Sequence, residues 1–495
     1  MALFNEGKAA IVSTLGPASS SPETLRAMIE AGLDVVRLNM SHGTRKDHRK
    51  RFEMVRDVDD SLPILFDLSG PKIRIGELKE SFKLNTGDEL ILTKEDIMGT
   101  PEKVSVSYDE LIDLAEVGNT IFLNDGLIHL EVTETGSKEI KCDVKAGGPL
   151  SSRKGLNAPG IPIRLYAPTE KDMGDIEATV DLEPDFYSVS FVRRTQDLQR
   201  VRDQIANFTT DSIPIVSKIE HQDAMDNIDQ IISMSDAVMV ARGDLGVELP
   251  PEDIPLIQEK LVHKCNILGK PVIVATQMLE SMVLSPKPTR AEASDVANAI
   301  LQGADAVMLS AETATGNYPI ESVDMMDRII KRVQPKIEDK SQQQIMSQNN
   351  IPDSIGRSAV SLASALKTDI IMAFTRSGGS SASVAKFRPK QPIIAVTPLP
   401  KTSRRVRLQW GVQPLLLRRD FTDTDEMIYQ GIKMAYDQGY IDKYDTAVLV
   451  AGSLLGLPSS TNLIHYVKID EIINSVGATR KFAQAYSLKP NQINR

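Results

Sequence analysis

Short apolar, β-branched runs recur through the first part of the chain and close on polar or glycine-rich tails. They cover residues 9–14 (AAIVST), 34–39 (DVVRLN), 63–68 (PILFDL), 186–191 (FYSVSF), 213–218 (IPIVSK), 237–242 (AVMVAR), 271–276 (PVIVAT) and 306–311 (AVMLSA). Each is apolar on both faces, the pattern of a buried parallel strand. Most precede a helix-like stretch such as 21–32, 250–269 or 289–303. In the first of these, Pro22 and Glu23 stand in the opening turn and Gly32 where a helix would stop. Eight strand–helix alternations predict a (β/α)8 barrel, although a doubly wound sheet would reproduce part of the pattern. The tails favour the barrel: STLGP, RLNMSHG, DLSGPKIR, SKIE, ARGDLG, ATQMLE and LSAET all carry chemistry. Barrel enzymes place their sites at the C-terminal ends of their strands.

The alternation breaks over 72–166, where short strand patterns separated by turns predict a small β domain inserted after the third barrel strand. Such a domain over the barrel mouth would act as a lid. A polar stretch, KSQQQIMSQNN at 340–350, predicts a linker. A second α/β pattern follows, with strands at 369–375, 392–397, 413–418, 446–452 and 463–469. The expected division is 1–71 and 167–340 for the barrel, 72–166 for the lid, 341–475 for a regulatory α/β domain, and a tail at 476–495 to which no role is given. No internal repeat is evident.

Composition narrows the partners. The formal net charge is −10, which argues against a dominant nucleic-acid or anionic-membrane surface. Two cysteines without a CxxC, and six scattered histidines, make a disulfide framework and a structural zinc site improbable. No run of membrane-spanning length and no secretory signal are read, so the expectation is a soluble cytoplasmic protein.

Lys218 and Glu220, two apart at a strand end, share one face. Asp244 follows the next strand, in Arg242-Gly243-Asp244-Leu245-Gly246. Two carboxylates on adjacent strands can hold a hard divalent cation, and a lysine beside it can stabilise a transferring phosphoryl group. Gly243 and Gly246 let the backbone approach an anion. A surface ion-pair network is the competing reading of the same residues. Arg37, on one face with Asn39 and followed by Ser41, and Arg74 in GPKIRIG are candidate phosphate clamps, with ordinary salt bridges as the alternative. Thr276 would place a hydroxyl in the barrel mouth, or simply cap a helix. Ser310 and Glu312 form a similar polar end. In the C-terminal pattern, Thr375, Arg376, Ser377, Gly378, Gly379, Ser380 and Ser381 follow a strand and lead into a helix, the composition of a phosphate cradle or of a flexible polar loop. The loop at 452–462 is a candidate to complete that pocket.

The strings RLNMSHG, DLSGPKIR, SKIEH, MVARGDLGVELP, ATQMLESM, PTRAEASDVANA and DAVMLSAETATGNYP, in this order, resemble the signature segments of the pyruvate kinase family. They span roughly residues 8–330, and weaker matches at NDGLI, KGLNAPG and the C-terminal segment extend the resemblance over nearly the whole chain. The resemblance implies a (β/α)8 domain with an inserted β-barrel domain and a C-terminal α/β domain. It implies transfer of the phosphoryl group of phosphoenolpyruvate to ADP, giving pyruvate and ATP, the last step of glycolysis. Lys218 becomes the phosphoryl-stabilising lysine. Glu220 and Asp244 become ligands of Mg2+ or Mn2+, and Arg37 and Arg74 phosphate contacts. Thr276 stands beside the protonated face of the enolate, with Ser310 nearby. Substrate contacts fall on Lys218, Gly243, Asp244 and Thr276, and nucleotide contacts on Pro17, Asn39, His42 and Lys154. Asn39, Ser41 and Asp67 match a monovalent-cation site. There the chain departs from potassium-dependent members: Leu68 replaces a threonine and Lys72 a glutamate. A lysine ammonium in place of the cation predicts activity without potassium. A phosphorylated allosteric effector on the 375–381 loop and a homotetramer are further implications.

Two rivals remain at this stage. A lyase or aldolase of pyruvate enolate would share the metal-held enolate, and a metabolite-sensing scaffold would use only the 375–381 loop.

Overall fold

Alternation with a period of two decides which side chains a barrel strand sends inward. The computed structural model describes residues 7–338, 350–421, 423–452 and 461–474. Its first three strands are β1 (Ala10–Thr14), β2 (Val35–Asn39) and β3 (Ile64–Asp67). Eight short strands follow: β4 (Phe82–Lys83), β5 (Glu89–Thr93), β6 (Lys103–Ser105), β7 (Thr120–Leu123), β8 (Ile128–Thr135), β9 (Glu139–Ala146), β10 (Pro149–Leu150) and β11 (Leu156–Asn157). The chain then returns to β12 (Phe186–Val189), β13 (Ile215–Ile219), β14 (Ala237–Ala241), β15 (Val272–Ala275) and β16 (Ala306–Leu309). Strands β1–β3 and β12–β16 form one closed parallel barrel, β1 pairing with both β2 and β16. Each of the eight apolar runs became one barrel strand.

Ala10, Val12, Val35, Leu65, Phe186 and Val216 face one another inside the barrel. Their neighbours Ile11, Val36, Ile64, Tyr187 and Ile215 point outward and pack with Leu25, Met28 and Phe52 of the surrounding helices. Burying each such side chain contributes about 1.5–3 kcal/mol. Two residues further along the inward face the chemistry changes: Thr14, Arg37, Asp67, Ser188 and Lys218 are polar and buried. One periodic rule therefore builds an apolar floor and a polar layer above it. Pro22 and Glu23 open the helix Pro22–Glu30 and Gly32 follows its end, as anticipated. Thr289 caps the helix Arg290–Gln302 in a reciprocal pair with Glu292, and Gly303 ends it at φ +98°.

The inserted segment is a β structure with only a five-residue helix, Glu110–Leu114. Its six-stranded sheet runs β11-β7-β8-β9-β5-β6, and β4 pairs with β10. The backbone at Arg74 bridges Gly155, beside β11, while Ile75 bridges Val106, beside β6. This stretch thus joins the two edges and closes the sheet on itself around a core that includes Leu90, Leu92, Leu130 and Val144.

The C-terminal sheet contains β17 (Ile370–Phe374), β18 (Ile393–Thr397), β19 (Val412–Leu416), β20 (Thr446–Gly452) and β21 (Thr461–Lys468), in the order β19-β18-β17-β20-β21. Only β21 is antiparallel to its neighbour. The helix Ile351–Leu366 covers one face through Ala359, Val360 and Ala363, and Thr424–Asp437 covers the other through Ile428, Ile432 and Ala435. Buried ion pairs tie this sheet to the barrel: Arg388 reaches Asp305 at 2.6 Å and Arg404 reaches Asp185 at 2.7 Å. Residues 339–349, most of the expected linker, 453–460 in the second C-terminal loop, and the tail from 475 lie outside the described residues. Among the described residues, no helix is long and apolar enough to cross a membrane.

Candidate active site

The polar layer above the barrel floor is one connected network. Arg37 donates through Nε to Asp67 at 2.7 Å and through Nη1 to Thr14 Oγ1 at 2.8 Å. Asp67 also accepts from Ser188 Oγ at 2.5 Å and lies 3.3 Å from Lys218 Nζ. Lys218 donates to Ser190 Oγ at 2.7 Å and pairs with Glu220 at 2.9 Å. Ser190 passes a hydrogen bond to the Leu68 carbonyl at 2.8 Å, and Glu220 accepts the Phe191 N–H at 2.7 Å. The structure therefore brings Arg37, Asp67, Lys218 and Glu220 together.

Burial and charge pull against each other in this network. For Asp67, burial raises the carboxyl, and the charges of Lys218 and Arg37 outweigh it, so the acid is held below its usual range. For Lys218, burial works against the ammonium, while Asp67 and Glu220 hold it charged. Glu220 goes the other way. Burial, with the charge of Asp244 added, pushes it above the ordinary carboxylate value despite Lys218.

Asp244 sits in the first turn of the helix Arg242–Glu248, directly after β14. Its partner is Lys72, whose Nζ lies 2.8 Å from an Asp244 oxygen and 3.0 Å from Asp125 of the lid. The ammonium pairs with these two acids, where the expectation set it beside Asn39, Ser41 and Asp67. Burial would lower its pKa, but Asp244 and Asp125 raise it well above the ordinary lysine value. Asn39 is used locally, its Oδ1 accepting the Ser41 N–H at 3.1 Å.

Thr276 has φ +71°, and its hydroxyl accepts the Gly243 N–H at 2.7 Å while donating to the Ala275 carbonyl at 2.6 Å. A side chain at Gly243 would press on Thr276 Oγ1 at 3.3 Å, so glycine permits this approach. The Ser310 N–H donates to Glu312 at 2.7 Å, an acid that also takes the Leu279 N–H at 3.1 Å.

Arg74 donates to the Arg153 carbonyl at 3.0 Å. His42 is held below the usual histidine value by burial and then by the charges of Arg74 and Arg37, which sets all three in one electrostatic neighbourhood. Pro17 opens a short 3-10 turn after Gly16, and the Lys154 carbonyl accepts from Ile75 N in the lid closure. Among the described residues, no hydrogen bond or ion pair links Pro17, His42 and Lys154 to one another. Between lid and barrel opens a cleft of 980 Å³ bordered by Phe122, Asp125, Gly126, Gly243 and Gln277, ample for a small ligand.

The 375–381 segment follows β17 and leads into the helix Gly379–Ala385. Gly378, at φ +90°, donates its N–H to Thr375 Oγ1 at 2.9 Å. Ser381 donates to the Gly378 carbonyl at 2.9 Å, Ser380 shares a 2.7 Å bond with Thr461, and Arg376 reaches Asp420 at 2.6 Å. Ser377 is exposed.

Glu220 directly follows β13 and Asp244 lies in the first helical turn after the neighbouring β14, and both offer hard carboxylate oxygens. Among the described residues, no group of three or more His, Cys, Asp or Glu could hold a metal by itself. Two carboxylates are a donor set that Mg2+ accepts, since it takes one or two protein carboxylates and completes its octahedron with water and ligand oxygens.

Sequence reasoning passed over Thr14, Ser188, Ser190, Asp125 and Arg242. Three carried a readable signal. Ser188 and Ser190 continue the inward face of β12, and Thr14 that of β1. Asp125 carried none, since its meeting with Lys72 depends on how the lid folds over the barrel.

Two family models match the chain: the barrel domain of pyruvate kinase over residues 6–323 and its alpha/beta domain over 353–467. A pyruvate kinase of Bacillus licheniformis is 43% identical over 490 residues, covering 96% of this chain and 83% of the relative. One from Geobacillus stearothermophilus is 43% identical over 495 residues, covering 97% and 84%. One from Staphylococcus aureus strain MRSA252 is 42% identical over 485 residues, covering 96% and 82%.

Proposed function

The chain belongs to the pyruvate kinase family of phosphotransferases, and from that premise we propose that it moves the phosphoryl group of phosphoenolpyruvate to ADP at the mouth of its barrel, with Glu220 and Asp244 holding Mg2+ or Mn2+. The observation that carries this reading is the Lys218–Glu220 pair at 2.9 Å inside the Arg37–Asp67 network, one strand away from Asp244. A divalent cation on the two carboxylates supplies charge neutralisation for the phosphoryl and enolate oxygens.

The chain's own residues do the rest. Lys218, fixed by Ser190, Glu220 and Asp67, presents an ammonium to the phosphoryl group as charge moves onto its oxygens. Arg37 is locked in orientation by Asp67 and Thr14, and with Arg74 it grips the phosphate. The N–H groups at the start of the Arg242–Glu248 helix meet the substrate carboxylate, beside the Gly243 N–H that donates to Thr276. Phosphoryl transfer leaves an enolate, and Thr276 beside its face orients the water that protonates carbon. Pro17, Asn39, His42 and Lys154 receive the nucleotide, and the lid of residues 72–166 excludes water over it. The barrel divides as 1–71 and 167–340, and the C-terminal domain spans 341–475.

The proposal includes turnover without potassium. Lys72 supports it as a fixed positive charge in the site, held by Asp244 and Asp125. A phosphorylated effector on Arg376, Ser377 and the 378–381 turn, a homotetrameric assembly and a cytoplasmic location complete the reading. Pyruvate formation from phosphoenolpyruvate, followed in a coupled assay with and without ADP, tests it. Strict dependence on ADP and on a divalent cation is the expected result, and pyruvate release without ADP would overturn it.

A further inference from the structure

Thr276 and Gln277 stand consecutively in the left-handed region, at φ +71° and +53°, and neither is glycine. A β-branched residue there is an outlier, and such a turn persists only where its surroundings over-determine it. The surroundings are specific. Arg242 is buried, and its Nη2 donates to the Thr276 carbonyl at 2.7 Å and contacts Met278 Sδ at 2.7 Å. Its Nη1 is anchored at 2.7 Å to Asp295 on the helix Arg290–Gln302 and at 3.3 Å to Gln258 on Ile254–Leu268. The next residue, Gly243, donates its N–H to the Thr276 hydroxyl. The guanidinium thus spans from two outer helices to the backbone of the strained turn.

We propose that Arg242 is a positioning residue: its fork, braced by Asp295, holds the Thr276–Gln277 turn left-handed and so sets the Thr276 hydroxyl against Gly243 and the reacting carbon. The inference rests on the reading of Thr276 given above. The Arg242 guanidinium is engaged by Asp295, Gln258 and the Thr276 carbonyl, so it acts through the turn. A lysine could not replace it, because one ammonium lacks the rigid fork that serves Asp295 and the Thr276 carbonyl together.

The test is a rescue. Gln277 is exposed, and Gln277→Gly puts at that position a residue that adopts positive φ without strain. Alone, it is the reference chain against which the double variant is read. Arg242→Gln lowers kcat about 100-fold, the scale of a misplaced group, with a smaller change in KM for phosphoenolpyruvate. The double variant recovers about tenfold of that loss, because the turn then needs less holding. Arg242→Lys, measured beside them with thermal melts on all chains, carries the same comparison where Arg242→Gln does not fold. Equal kcat in the single and double Arg242 variants overturns the proposal, as does a loss confined to KM. Absence of pyruvate formation by the wild-type chain would instead sink the functional reading itself.

Discussion

Lys72 Nζ lies 2.8 Å from an oxygen of Asp244, a carboxylate proposed to bind the divalent cation, and 3.0 Å from Asp125 on the lid. An ammonium and a divalent cation on one carboxylate repel each other, so Lys72 opposes the binding of the cation there. Lys72→Met should therefore bind Mn2+ roughly tenfold more tightly in the absence of substrates, about 1.4 kcal/mol. Paramagnetic resonance titration of free Mn2+ reads this directly. Unchanged or weaker binding would show that the lysine does not compete.

The same charge bears on monovalent cations. In a potassium-free tetraalkylammonium buffer, the wild-type chain should turn over at close to its full rate. Lys72→Glu removes the fixed charge and should create a demand for potassium, seen as activation by added KCl. Strong activation of the wild type by potassium would reject the role given to Lys72.

How much of this was readable before folding follows from where each residue sits. Val35, Leu65 and Val216 are ordinary inward-facing strand residues, and counting two forward from each lands on Arg37, Asp67 and Lys218. Strand periodicity thus carried the polar layer as well as the barrel. Lys72 lies outside that protection. It is in the irregular passage between β3 and β4, where no period fixes a direction, and its partners are 53 and 172 residues away. The closure of the lid sheet by Arg74 and Ile75 was hidden for the same reason. The left-handed turn at Thr276–Gln277 was hidden differently. Positive φ is normally announced by glycine or asparagine, and here tertiary contacts enforce it on residues that do not advertise it.

In the proposed reaction Lys218 meets the phosphoryl group while Ser190, Glu220 and Asp67 hold it, so the loss of its charge should fall mainly on the transfer step. Lys218→Met should lower ADP phosphorylation at least about 100-fold, while Mn2+ and phosphoenolpyruvate still bind. Exchange of the pyruvate methyl protons with solvent deuterium, followed by NMR, should survive in part, because that step needs the enolate-stabilising groups without the phosphoryl contact. Near-normal ADP phosphorylation would remove Lys218 from its assigned role.

Asp67 gives a prediction about pH. It is fully buried; burial raises its carboxyl, and Lys218 and Arg37 more than offset that, so the folded value lies below the unfolded one near 3.9. A depressed acid contributes stability that is fully present above the unfolded value and is lost as pH falls through the folded one. Asp67→Asn leaves two buried cations short of a counter-charge, a loss of about 3 kcal/mol at pH 7. The difference in thermal midpoint between wild type and Asp67→Asn should therefore be constant from pH 7 to about pH 5 and narrow below about pH 4, where Asp67 of the unfolded chain takes up a proton that the folded carboxylate does not. Calorimetric scans at several pH values measure that gap. A gap that widens on acidification would mean that Asp67 is not held ionised by its two neighbours.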